Sequence, residues 1–321
     1  MVIKKRPIMP GAYAHLTLVN VLGSTEHMDS MDMPDEAKEA ILEYKKFVEL
    51  GATSPDLPYL KLKDGFIPDE KASEWADHMH YLMPGEMIKA IARRVRQEAD
   101  PDRRERQLAW LFGYTSHVGG DTTIHPVVEL KVGPYAQNKE HHRVCEVHQD
   151  AYIFQRLGVG RAGLVDYLVP SISACKDANG NLDGAIASLW DAALQERYPK
   201  QFASNPPVIQ DWYKGFQAGV ENAGRMSRLI PLARHVFVGC GVSYPEPEEV
   251  DPQYIKDLKT PRGVPMDYDS IFDLAVKNVG QLWIAVADYV LRGNDASLDS
   301  IPNLNLDTGR DLVTNVIKMW E

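Results

Sequence analysis

The chain has 321 residues, with 35 Lys+Arg against 45 Asp+Glu for a formal net charge of −10, and 44% of its residues are hydrophobic. A chain of this length and balance buries a core unaided. Its acidic charge argues against nonspecific binding to nucleic acid or anionic membrane, which needs a clustered basic surface.

The start, MVIKKRPIMPGAYAHLTLVN, is basic, but no apolar run leading to a small-residue cleavage site follows it. No stretch approaches ~20 uninterrupted apolar residues. A soluble, cytoplasmic protein without a membrane span is expected. Cys145, Cys175 and Cys240 are odd in number and widely spaced, so no disulfide framework is implied.

EAKEAILEYKKFVEL (Glu36–Leu50) has apolar residues at helical spacing and predicts a helix ended by Gly51. TSPDLPYLKLKDGFIPDE (Thr53–Glu70) predicts a loop. PGEMIKAIARRVRQEA (Pro84–Ala99) opens on Pro and lines Met87, Ile88, Ile91 and Val95 along one stripe, which predicts a second helix. Further helices are predicted over Arg104–Asp121, His141–Leu157, Asp183–Tyr198, Val208–Ile230 and Asp267–Gly293, with a loop across HPVVELKVGPYAQNKE (His125–Glu140). HVFVGCGVSY (His235–Tyr244) is the one plausible strand. The fold expected is all-α, a multi-helix bundle in one domain over 1–321. The proline-rich, acidic seam YPEPEEVDPQ (Tyr244–Gln253) marks a weak boundary near 245. The six tryptophans and Cys145 are expected in the core. GVGRAG (Gly158–Gly163) lacks the surrounding βαβ unit of a dinucleotide fingerprint and predicts a helix cap and turn. DANGNLDG (Asp177–Gly184) predicts a polar turn leading into a helix N-cap, not a calcium loop.

Seven of the ten histidines fall between residues 78 and 148, in company with carboxylates. In HVGGDTTIH, His117, Asp121 and His125 are spaced i, i+4, i+8. At 100° per residue they drift only about 40° per step, so all three share one helix stripe. HRVCEVHQD repeats the pattern with His142, Glu146 and Asp150. Two such stripes facing each other gather imidazoles and carboxylates in an interior, where unpaired they would cost several kcal/mol. A borderline divalent ion such as Zn²⁺ satisfies that donor set. Gly119-Gly120 costs roughly 1 kcal/mol per Gly inside a helix, which makes sense where a neighbouring backbone or ligand must come close. His125 precedes Pro126, which disfavours α conformation and predicts the helix's last turn there. Upstream, Asp56 lies in the Pro-flanked SPDLPY. His78 and His80 in WADHMHYL diverge on a helix, so at most one faces a site. Asp150 is expected to orient a ligand histidine.

An early His (His15), PDLPY (Asp56), MHY (His80), FGYTSHVGGDTTIHP (His117, Asp121, His125) and HxxxE (His142, Glu146) together resemble the zinc-dependent phospholipase C family, which is related to the single-strand-specific zinc nucleases. The resemblance covers about residues 10–155. It implies that Asp56, His80, His117 and Asp121 hold one zinc, that His125, His142 and Glu146 hold a second, and that His15 and Asp121 contribute to a third. It selects His80 over His78. The function implied is phospholipase C-like hydrolysis of a phosphodiester, in a phospholipid or other small substrate, by metal-activated water with Asp56 as the catalytic carboxylate. Two rivals are a zinc nuclease or nucleotide phosphodiesterase, and a helical binding protein with structural zinc. The His142-x₃-Glu146 ending and the acidic charge favour the phospholipase reading over a nucleic-acid partner.

Overall fold

The computed structural model describes residues 12–63, 67–158, 171–218 and 244–321. Its elements in chain order are α1 (Ala12–Leu22), α2 (Thr25–Ser30), α3 (Asp35–Glu43), α4 (Lys45–Thr53), a 3₁₀ turn (Ser54–Leu60), a hairpin of β1 (Leu62–Lys63) and β2 (Ile67–Pro68), α5 (Glu70–Tyr81), α6 (Pro84–Gln97), α7 (Pro101–Val132), α8 (Tyr135–Ile153), α9 (Gly184–Arg197), α10 (Pro199–Ser204), α11 (Tyr268–Ala287) and α12 (Asp295–Asp299). Residues 209–218 are also helical. Helix starts follow from their caps. The Asp69, Asp100 and Asp183 side chains each accept backbone N–H groups of the first turn of α5, α7 and α9. Pro84, Pro101 and Pro199 open α6, α7 and α10, where a missing N–H costs nothing. The fold is all-α, as expected.

At 32 residues and 1.5 Å per residue, α7 is about 48 Å long. It forms the axis of the bundle, packed by α4, α11, α6 and α8. Two glycines set its crossing with α4. A Cβ on Gly51 would lie 2.1 Å from the Trp110 carbonyl oxygen, and one on Gly113 would lie 2.0 Å from that of Val48. Backbone meets backbone there. Tryptophans fill the surrounding core, and most of their N–H groups find acceptors, Trp190 Nε1 being buried without one among the described residues. Trp110 donates to Ser54 Oγ at 2.9 Å, and Trp283 to the Phe112 carbonyl at 2.9 Å. All six tryptophans are buried, as are Cys145 and Cys175.

Four expectations need correction. The helix expected over Glu36–Leu50 breaks at Tyr44 (φ −107°, ψ 32°), and Gly51 lies inside α4 because the chain there must pass close to α7, not because it ends. The loop expected at His125–Glu140 is mostly helix: α7 runs through Pro126 to Val132 and α8 starts at Tyr135. Pro126 withholds one N–H from the Thr122 carbonyl, and packing on both sides outweighs that loss. Part of the Thr53–Glu70 loop is the 3₁₀ turn and the hairpin. Asp150 contacts no ligand histidine; it accepts the Tyr13 and Ala14 N–H groups at 3.3 and 3.0 Å, capping α1 from α8. Gly158 has the positive φ (62°) of a helix C-cap. The rest of GVGRAG, and the strand expected at His235–Tyr244 apart from Tyr244, lie outside the described residues.

Candidate metal centre

α7 carries His117, Asp121 and His125 on one stripe because four-residue steps nearly repeat the helical turn. α8 presents His142 and Glu146 by the same spacing. α1 supplies His15, α5 supplies His80 at its last turn, and the 3₁₀ turn braced by Pro55 and Pro58 supplies Asp56. These eight side chains converge. His15 Nε2 lies 3.2 Å from Asp121 Oδ1, and His117 Nε2 lies 3.2 Å from Asp121 Oδ2. His80 Nε2 is 3.2 Å from Asp56 Oδ1 and 3.3 Å from His117 Nε2. His125 Nε2 is 3.5 Å from Asp121 Oδ1 and 3.1 Å from Glu146 Oε1, and His142 Nε2 is 3.2 Å from the same Glu146 oxygen. Three triads result, the first two sharing His117: His15–His117–Asp121, Asp56–His80–His117 and His125–His142–Glu146. His78 instead turns to the Glu74 carbonyl, and His141 is exposed.

Whether this set suits a metal ion can be tested on the other ring nitrogens. The Nδ1 atoms of His80, His117 and His125 lie 2.7, 3.0 and 3.1 Å from the carbonyls of Ala76, Ala52 and Leu306. A carbonyl only accepts, so each Nδ1 carries the proton, and in a neutral ring Nε2 is left with its lone pair. His80 and His117 thus aim two lone pairs at each other across 3.3 Å, beside two carboxylates. Such a meeting of acceptors is unfavourable unless a cation lies among them. The second ring nitrogen fixed by a main-chain carbonyl is also how ligand histidines are held. The donor set fits zinc.

Charge tells the same story. Burial alone would push Asp121 up, yet His125, His117 and His15 around it hold it well below the usual carboxylate range. Glu146 is likewise held at about 2, burial being outweighed by His142 and His125. Burial disfavours charge on His125, but Asp121 and Glu146 raise it to about 10. Protons, in the metal-free protein, stand in for the positive charge these carboxylates require.

The cluster floors an open cleft also lined by Tyr59, Tyr81, Tyr135, Lys139, Arg143 and Asp307. The sequence reading had none of these. Lys139 and Arg143 flank His142 and were open to the same helical-spacing argument. Asp307 had no local signal, since it lies 182 residues from His125 in sequence (307 − 125) and arrives by folding alone. Leu306, beside it, accepts from His125 and donates its own N–H to the His80 carbonyl at 3.3 Å.

A helical bundle whose axis carries buried imidazoles and carboxylates into an open cleft has the groups needed to bind metal ions. The family model for zinc dependent phospholipase C matches residues 14–199, and the chain belongs to that family, one of metal-dependent, phospholipase-like hydrolases. No curated protein and no solved structure matches it. Among the described residues no helix is long and apolar enough to cross a membrane.

Proposed function

We propose that the protein hydrolyses the phosphodiester bond of a phospholipid or a similar small ester with zinc in this cleft. The reading assigns Asp56, His80, His117 and Asp121 to one ion, His125, His142 and Glu146 to a second, and His15 with Asp121 to a third. The observation that carries it is the convergence of five imidazoles and three carboxylates, all but the fully buried His117 lining one accessible cleft. Zinc held there would supply Lewis acidity to the phosphoryl oxygens and lower the pKa of water.

The chain's own groups do the rest. Asp56 is the most accessible of the three carboxylates, its side chain 14% exposed against 4% for Asp121 and 9% for Glu146. It is the carboxylate in reach of a water entering from the cleft, which it would orient and deprotonate as that water attacks phosphorus. The leaving alkoxide takes its proton from solvent. His80, His117 and His125, anchored through Nδ1, keep their Nε2 atoms fixed throughout. The C-terminal segment belongs to the same unit in this reading, since Leu306 bridges two ligand histidines.

The experiment is zinc reconstitution, with metal counted by plasma mass spectrometry, followed by hydrolysis of a glycerophosphocholine ester and of single-stranded DNA. Two or three zinc ions per chain with turnover of the lipid-type ester is the expected result. Turnover of DNA alone would replace this reading by the nuclease, and no metal uptake would overturn it.

A further inference from the structure

Along α8, Lys139, His142, Arg143 and Glu146 follow at i, i+3, i+4 and i+7, so two cations and two candidate ligands share one face. Both cations line the metal cleft. Two half-buried arginines away from the cleft are paired with carboxylates, Arg106 with Asp102 and Asp183 and Arg156 with Asp269 and Asp273, whereas Arg197, which lines no part of the cleft, also buries its Nε without a hydrogen-bond partner among the described residues. Arg143 differs from the paired two. Its Nε is buried without a hydrogen-bond partner among the described residues, and no described carboxylate lies within ion-pair distance of it or of Lys139. Asp307, in the same cleft, takes a hydrogen bond from the Tyr81 hydroxyl at 3.3 Å instead. Lys139 sits over the Tyr135 ring, 5.4 Å from its centroid, and the same ring meets His142 edge-on at 5.0 Å. Like charges at i, i+4 destabilise a helix by a few tenths of a kcal/mol, so the pair is a cost to the fold unless an anion comes between them.

We propose that Lys139 and Arg143 form an oxyanion subsite of the cleft that grips a phosphate-type group of the substrate. The proposal rests on the phosphodiester reading above and adds where the substrate's charge is held. Arg143 would supply the directional hydrogen bonds and Lys139 a mobile point charge. The gripped group is either the scissile phosphate itself or a second anionic group on the head of the substrate.

The test uses zinc-reconstituted protein with Arg143→Gln, Lys139→Gln, the double variant and Arg143→Lys. Inorganic phosphate binding is read by calorimetry, and KM and kcat on two soluble esters, one with a choline head and one whose head carries an additional phosphate. Arg143→Gln should weaken phosphate binding about tenfold with zinc content unchanged, as loss of a charge-assisted bond predicts. Arg143→Lys should recover part of it. A rise in KM for both esters places the scissile phosphate on the pair; a rise for the doubly charged ester alone places the second group there. Phosphate affinity and both KM values within twofold of wild type in the double variant would overturn the subsite. Loss of zinc in Arg143→Gln would overturn it too, making Arg143 a support for the ligands. If Arg143→Gln does not fold, Lys139→Gln, at an exposed position, carries the same test. Should the wild type hydrolyse neither ester, the phosphodiester reading fails by itself. Phosphate titration then still decides the subsite: binding lost in Arg143→Gln upholds it, and no binding overturns it.

Discussion

Gly113→Ala tests whether the metal cleft depends on the closeness of α4 and α7. The added methyl would sit 2.0 Å from the Val48 oxygen, 2.7 Å from the Ala52 nitrogen and 2.8 Å from the Gly51 Cα, all backbone. Restoring an ordinary contact of about 3.4 Å requires α4 to retreat by more than 1 Å, and a gap of that size forfeits a quarter to a half of each affected contact. Overpacking costs about 1–3 kcal/mol when side chains can adjust, and backbone cannot. The upper end, about 3 kcal/mol, applies, offset by about 1 kcal/mol of better helix propensity. At about 2 °C per kcal/mol for a chain of this size, Tm should fall by about 4 °C. The functional loss should be larger than the stability loss. Ala52 is on the retreating helix, and its carbonyl holds His117 Nδ1 at 3.0 Å; Asp56 follows the same helix directly. Metal–ligand distances tolerate about 0.2 Å. The zinc-to-protein ratio should therefore drop in a variant that is still folded. Gly184→Ala, with nothing within 4 Å, is the control. A Gly113→Ala protein matching that control in both Tm and zinc content would refute the argument.

Asp121→Ala should lose zinc and hydrolysis together, because its two oxygens face His15, His117 and His125; full activity at unchanged metal content would remove it from the site. Gly309→Ala should cost about 2 kcal/mol, since φ is +62° and a Cβ would lie 2.5 Å from the Thr122 oxygen. By lifting the C-terminal segment it should also weaken binding of the ion proposed for His125, seen as fewer zinc ions per chain at limiting zinc. In the metal-free protein, His125, raised to about 10, contributes stability that is complete below its unfolded value near 6.5 and is lost as pH rises through 10. Asp150, pushed up to about 8 by burial and by Glu146, acts in the same direction between about 4 and 8. Tm without metal should thus fall from pH 6.5 to 10, while the gain in Tm on adding zinc grows over the same range, because the ion displaces the proton. A gain that shrinks with pH would contradict the assignment of His125.

The helix stripes were legible because His117, Asp121 and His125, like His142 and Glu146, need only the period of one helix to be brought together. Asp56 and His80 were legible only through resemblance; nothing in their local spacing aims them at α7. What sequence periodicity could not supply was the approach of elements to one another. Gly51 looked like a helix stop, since a glycine that ends a helix and one that admits a neighbouring helix carry the same letter. Gly119-Gly120 does admit close neighbours, but in place of the backbone or ligand expected there they are side chains, those of Val279 and Leu282 on α11 and of Leu18 on α1. Pro126 was overweighted: it removes one hydrogen bond, against the burial of Val127 and Val128 beyond it.

The same proline explains why the C-terminal segment can reach the site. With no N–H at position 126, the Thr122 carbonyl faces outward unclaimed by the ladder at that turn. Gly309 packs onto it and onto the Pro126 ring, and Trp320 donates to the neighbouring Thr123 carbonyl at 2.9 Å. That seating brings Leu306 to His80 and His125 and Asp307 into the cleft. Residues 14–199 carry the family's match, yet two of the site's histidines are tied down by main chain from beyond it. Removal of the segment after Asp299 should therefore lower zinc affinity even if the helices that bear every candidate ligand stay folded. Full zinc binding in that truncated chain would show that the segment only covers the site.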